Sequence, residues 1–184
     1  MWNFTSSLKL QRSEIPDFLF LIYYFLFKND LKNKLQMNDL KPILLVEDDP
    51  RDAELTLRAL ADCNLANRVT VVKDGVEALE YLQYEGNHKT RKKENPAVVL
   101  LDIKMPRMDG IEVLRAVRSD VNLKTLPIVM LTSSREDPDL HQCYALGVNA
   151  YVVKPVDFKE FIDSVKNIGI FWALINEIPP ETEK

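Results

Sequence analysis

From Lys41 onward the chain alternates short apolar runs with longer stretches whose apolar residues recur every three or four positions. Ile43–Glu47 (ILLVE), Arg68–Val72 (RVTVV), Ala97–Leu101, Leu126–Leu131 (LPIVML) and Ala150–Val153 (AYVV) have the length and β-branched content of strands. The segments between them read as helices. Asp49-Pro50 supplies an N-cap and first helical residue ahead of Ala53, Leu57, Leu60 and Ala61. Asp74 caps a helix bearing Val76, Leu79 and Leu82, and Asp109-Gly110 leads into Ile111, Val113, Leu114 and Val117. Asp137-Pro138 opens a fourth helix that Gly147 closes. Asp157 caps a fifth, with Phe158, Phe161, Ile162 and Val165 on its apolar side, reaching Phe171–Leu174.

Strand and helix in strict alternation predict an α/β fold with a parallel sheet covered on both faces. Right-handed crossovers leave few topologies, and a doubly wound, flavodoxin-like five-stranded sheet of order 2-1-3-4-5 fits. The expected organisation is an N-terminal extension over residues 1–40, a domain over 41–172 and a polar tail over 173–184 (ending EIPPETEK).

The extension breaks the rhythm. Phe18–Phe27 (FLFLIYYFLF) is apolar and aromatic throughout, but a membrane-spanning helix needs about 20 apolar residues. Lys9 and Arg12 precede it as in a signal peptide, yet Lys28, Asn29 and Asp30 follow where small residues would mark cleavage. The segment fits a hydrophobic helix for a partner or dimer contact, a membrane association, or a stretch ahead of a native start at Met37.

Composition adds limits. With 46% hydrophobic and 28% charged residues the chain has the balance of a globular protein. A net charge of −4 gives no global field for gripping nucleic acid, and no nucleic-acid partner is expected. Cys63 and Cys143 stand apart inside helical patterns, as reduced thiols would, which points to the cytoplasm. The loop Glu85–Pro96 carries Lys89, Arg91, Lys92 and Lys93 and reads as a solvated surface loop.

The candidate chemistry gathers at the carboxyl ends of the strands, where open α/β sheets bind ligands. Strand one ends in Glu47, Asp48 and Asp49, strand three in Asp102, strand four in Thr132 and strand five in Lys154. In the expected order these strands are neighbours, so the side chains share one crevice. Clustered carboxylates call for a cation, and hard oxygen donors with open positions suit Mg²⁺. Asp102 then qualifies as an aspartyl nucleophile towards phosphorus, with Thr132 and Lys154 placed to hold phosphoryl oxygens. Each residue alone has an ordinary structural role; Asp49, Asp109 and Asp157 are read as helix caps only.

The motifs ILLVEDDP, LLDIKMPRMDG, VMLTSS and NAYVVKP together resemble the receiver domain of two-component response regulators, over Lys41 to about Lys166. The resemblance implies Asp102 as phosphoacceptor and Glu47 and Asp48 as the acidic pair. It implies Mg²⁺ ligation by Asp48, Asp102 and the backbone carbonyl of Lys104. Thr132 and Tyr151 match the switch pair, Lys154 the phosphoryl-binding lysine, and the Lys154–Pro155 bond would be cis. The loop Glu85–Pro96, the DGVEALEYL helix and VKNIGIFWALINEIPP look like the single-domain regulators of cyanobacterial phytochrome-type histidine kinases.

The function expected is therefore a phosphorelay regulator. It would be phosphorylated on Asp102 by a sensor histidine kinase and act through a downstream protein or phosphotransfer partner rather than through catalytic turnover. The aromatic end Phe171-Trp172 makes a homodimer face plausible, and a membrane partner enters only if the N-terminal segment is native. The competing class is a receiver-fold interaction adaptor that is never phosphorylated. A haloacid-dehalogenase-like phosphatase is disfavoured, because Glu47-Asp48-Asp49 lacks the D-x-D spacing of that nucleophile and acid.

Overall fold

The computed structural model describes residues 41–133 and 137–176, with the side chain of Asp137 left aside. The expectations for residues 1–40 and for the chain beyond Asn176 lie outside the described residues. Five strands are present: β1 (Ile43–Val46), β2 (Val69–Val72), β3 (Val98–Leu101), β4 (Ile128–Thr132) and β5 (Ala150–Val153). The helices are α1 (Pro50–Ala61), α2 (Gly75–Gln83), α3 (Gly110–Ser119), α4 (Asp137–Ala145) and α5 (Phe158–Ile170). A π-helical turn, Phe171–Ile175, continues α5.

All pairings are parallel and the order is β2-β1-β3-β4-β5, as expected. β1, β3 and β4 are buried along their whole length, which explains why they read as unbroken apolar runs. Successive side chains go to opposite faces. Leu44, Val46, Val99, Leu101, Ile128 and Met130 join the core formed with Ala78, Leu82, Leu114 and Val117. On α5, Gly169 faces α1: a Cβ there would fall 2.4 Å from Leu60 Cδ2, so the absent side chain lets the two helices close.

The strand ends differ slightly from expectation. Leu126 and Pro127 lie before β4, in a turn where Leu126 N–H donates to Leu123 O; the strand begins at Ile128 and includes Thr132. A proline lacks the N–H for a ladder bond, so it marks the entry. The caps form as read. Asp49 accepts from Arg51 N–H, Asp74 from Glu77 N–H, and Asp157 from Lys159 and Glu160 N–H. Asp109 and Glu112 complete a reciprocal capping box.

Two regions are more ordered than their composition suggests. The Arg91 guanidinium lies between two rings, 3.9 Å from the Tyr81 centroid and 4.0 Å from that of Tyr84. It also donates to the carbonyls of Tyr81, Lys92 and Glu94, so this residue of the polar loop pins it. The chain stays packed past residue 172: Ala173 is buried, and Lys41 Nζ donates to Asn176 O. Among the described residues no helix is long and apolar enough to cross a membrane.

Candidate functional site

Backbone hydrogen bonds place the acids first. Glu47 N–H donates to Val72 O at 3.0 Å and Asp102 N–H to Val46 O at 3.0 Å, so both residues leave the sheet in register. Asp102 then sits at the head of a tight loop. One of its oxygens, Oδ2, accepts from Lys104 N–H at 2.7 Å, and Gly110 N–H closes the loop on Ile103 O at 2.9 Å. Gly110 is required by contact: a Cβ there would fall 2.1 Å from Asp102 O. Arg107 takes a left-handed backbone, φ 68°, and its guanidinium grips the buried carboxylate of Asp74 at the start of α2.

Glu47, Asp48 and Asp102 offer carboxylate oxygens within 4.8 Å of one another. Glu47 and Asp102 are buried, whereas Asp48 is exposed. The set is all oxygen, anionic and open on one side. That suits a hard divalent cation that retains waters, and it is unsuited to soft-ligand metals.

Lys154 enters from β5. Its N–H donates to Thr132 O at 2.7 Å, which ties the strand ends together. Its ammonium reaches Glu47 Oε2 at 2.6 Å, Asp52 Oδ2 at 2.7 Å and Asp102 Oδ1 at 3.2 Å. Asp52, in the first turn of α1, was not among the residues expected at the site. Its signal was weak but present: it is the third residue of α1, directly after the acidic strand end and its cap.

Burial pushes the Glu47 carboxyl up to about 7, against the pull of Lys154, with the charges of Asp102 and Asp52 adding to the rise. Burial also raises Asp102, opposed by Lys154 and by the Lys104 N–H. Burial works the other way on Lys154, but its bonds to Asp52 and Glu47 and the charge of Asp102 prevail and hold the ammonium protonated. The site thus keeps a fixed positive charge beside carboxylates that are reluctant to ionise together.

Thr132 is fully buried at the end of β4, and Tyr151 is half-buried on β5 opposite Met130, packed against the core. The expected cis bond is a correction: the Lys154–Pro155 peptide is trans, and none of the described peptide bonds is cis. The trans isomer is the intrinsically favoured one, by about 0.5–1 kcal/mol. With Lys154 already held through its N–H and its ammonium, the strand end reaches the crevice in that form.

A parallel sheet with an acid-lined switch point, a buried aspartate and a lysine opposite it defines a receiver. The chain belongs to the response regulator receiver domain family, whose model matches residues 43–166. Response regulator Rcp1 of Synechocystis sp. (strain ATCC 27184 / PCC 6803 / Kazusa) is 34% identical over 78% of this chain and 97% of its own length. The Mn(2+)-bound form of Rcp1 superposes with a TM-score of 0.70 at 33% identity, covering 76% of this chain and 99% of that one. The phosphorylated cyanobacterial phytochrome response regulator RcpA gives a TM-score of 0.71 at 37% identity, over 77% of this chain and 99% of that one. The bacteriophytochrome response regulator AtBRR is 57% identical with a TM-score of 0.61, over 75% of this chain and 99% of that one. The chain is a two-component signalling protein related to phytochrome response regulators.

Proposed function

We propose that this chain is a phosphorylation-controlled switch that accepts a phosphoryl group on Asp102 from a sensor histidine kinase. The observation that carries it is Asp102 buried at the end of β3 with the Lys154 ammonium 3.2 Å away and the acids of β1 beside it. An Asp102 oxygen attacks phosphorus in line, the bond from phosphorus to the kinase histidine nitrogen breaks, and an acyl phosphate forms. Of its two oxygens, Oδ2 is tied to Lys104 N–H, and Oδ1, facing Lys154, is the one we assign to attack.

Asp48, Asp102 and the Lys104 carbonyl are the groups that would hold Mg²⁺, with Glu47 alongside. When bound, the ion offsets the carboxylate charge and withdraws charge from the phosphoryl oxygens. The acidic cluster and the Mn(2+)-bound form of Rcp1 support this assignment. Lys154 and the Thr132 hydroxyl take the remaining phosphoryl oxygens. A new charge of about −1.5 to −2, as in a phosphate monoester, then biases the β4–α4 unit. Thr132 is drawn towards the phosphoryl group and Tyr151 turns further inward. Output passes to a protein partner rather than through turnover of a free substrate. RcpA and AtBRR support a phytochrome-type kinase as donor, and the aromatic Phe171-Trp172 end supports a homodimer.

Intact-mass labelling with a small phosphodonor and Mg²⁺ tests the acceptor. Wild type gains one phosphoryl mass and Asp102→Asn gains none; labelling of Asp102→Asn at the wild-type rate would refute the assignment. Transfer from phosphorylated phytochrome-type and unrelated kinases then tests the partner class.

A further inference from the structure

Asp52 has no part in the phosphoryl-transfer scheme, yet it lies almost as close to Lys154 as the nearest carboxylate does, and closer than Asp102. Its Oδ2 is 2.7 Å from Lys154 Nζ, against 2.6 Å for Glu47 and 3.2 Å for Asp102. The two acids from the strands are almost wholly buried, with side chains 3% and 7% exposed, whereas the Asp52 side chain is 41% exposed. A lysine ammonium has three N–H groups and no others to offer. Here carboxylates from β1, α1 and β3 surround it, and a phosphoryl group on Asp102 needs at least one of those hydrogens. Glu47 and Asp102 are fixed by the strands that carry them. Asp52 stands on the solvent side, where water can replace the lysine as its partner at little cost, so its bond is the one most readily given up.

We propose that Asp52 is a positioning residue that competes with the phosphoryl group on Asp102 for the Lys154 ammonium, and so sets how tightly the site holds phosphoryl. In the unmodified protein it draws the ammonium towards α1. On modification the lysine turns to the phosphoryl oxygens and Asp52 becomes hydrated. The inference rests on the acceptor role of Asp102.

The test is titration of the full chain with beryllofluoride, a phosphoryl mimic, in saturating Mg²⁺, read by fluorine NMR. Asp52→Asn is expected to bind about threefold to fivefold more tightly than wild type, the range for loss of a half-exposed ion pair. Glu54→Gln removes the same charge from the same helix, where Glu54 pairs with Arg58 at 2.6 Å, and is expected to stay within about twofold of wild type. In a Lys154→Ala background the Asp52→Asn effect disappears, and Asp52→Glu restores the wild-type affinity. An unchanged affinity in Asp52→Asn overturns the proposal. So does an equal shift in Glu54→Gln, or an effect that survives without Lys154. Wild-type binding by Asp102→Asn would instead overturn the acceptor assignment, so the two failures are distinct.

Discussion

Gly110 lies directly against Asp102: a Cβ at position 110 would fall 2.1 Å from the Asp102 carbonyl oxygen and 3.0 Å from Ile103 Cα. Both contacts are with backbone, which cannot swing aside as a flexible side chain can. Gly110→Ala is therefore expected to destabilise the domain by about 1–3 kcal/mol, the usual cost of overpacking, and to displace the loop bearing the acceptor. Denaturant melting and phosphodonor labelling should both register it. Gly169→Ala meets side-chain carbons rather than backbone, Leu60 Cδ2 at 2.4 Å and Leu65 Cδ1 at 3.1 Å, and should cost less.

Glu47 sets a pH dependence. Its folded carboxyl sits at about 7, above an unfolded value near 4.5, so the folded state binds its proton more tightly. The stability it contributes is complete below about pH 4.5 and is lost as pH rises through about 7. Asp102, also raised, acts in the same direction. Metal-free protein should lose on the order of 3 kcal/mol between about pH 5 and 8, and Glu47→Gln should flatten that slope. Urea melts in a chelator across this range decide the matter. Mg²⁺ should restore stability at the alkaline end.

Lys154→Ala removes the cation from a group of carboxylates, two of them buried. At pH 8 the metal-free variant should be destabilised by about 3 kcal/mol or more, the cost of an uncompensated buried charge. At pH 5 Glu47 takes up a proton and the loss should shrink. Labelling of Asp102 is expected to persist, because the nucleophile and the acidic cluster remain. The spectral change that beryllofluoride induces around Tyr151 should be blunted. A full wild-type response in the variant would show that the lysine does not couple occupancy to the switch.

Asp74 and Arg107 join α2 to the acceptor loop. Burial opposes ionisation of Asp74, but the Arg107 guanidinium and the N–H groups of Glu77 and Val76 hold its carboxyl below the ordinary range. Asp74→Ala loses both the cap and the pair, and should cost about 1–2 kcal/mol from the cap alone. Arg107→Ala should cost less, and in the double variant it should add little to Asp74→Ala. Melting of the four proteins completes the cycle; additive losses would show that the two side chains act independently.

Much of this protein was decided by sequence alone. Unbroken apolar runs and period-three-to-four patterning set the elements, because burial on both sheet faces and on one helix stripe requires them. Asp49, Asp109 and Asp157 cap helices through bonds to N–H groups two or three residues away, so nothing beyond the local chain is needed. The position of Asp102 was equally legible: an acid ending a strand too apolar for the surface, in a motif shared with receivers. What tertiary structure alone decided are contacts between residues far apart in the chain. Asp52 and Lys154 are separated by 102 residues and meet only because α1 packs against α5, the helix that follows β5. Arg107 reaches Asp74 across 33 residues. Local propensity ranks the options for such groups; the packing of distant elements selects among them.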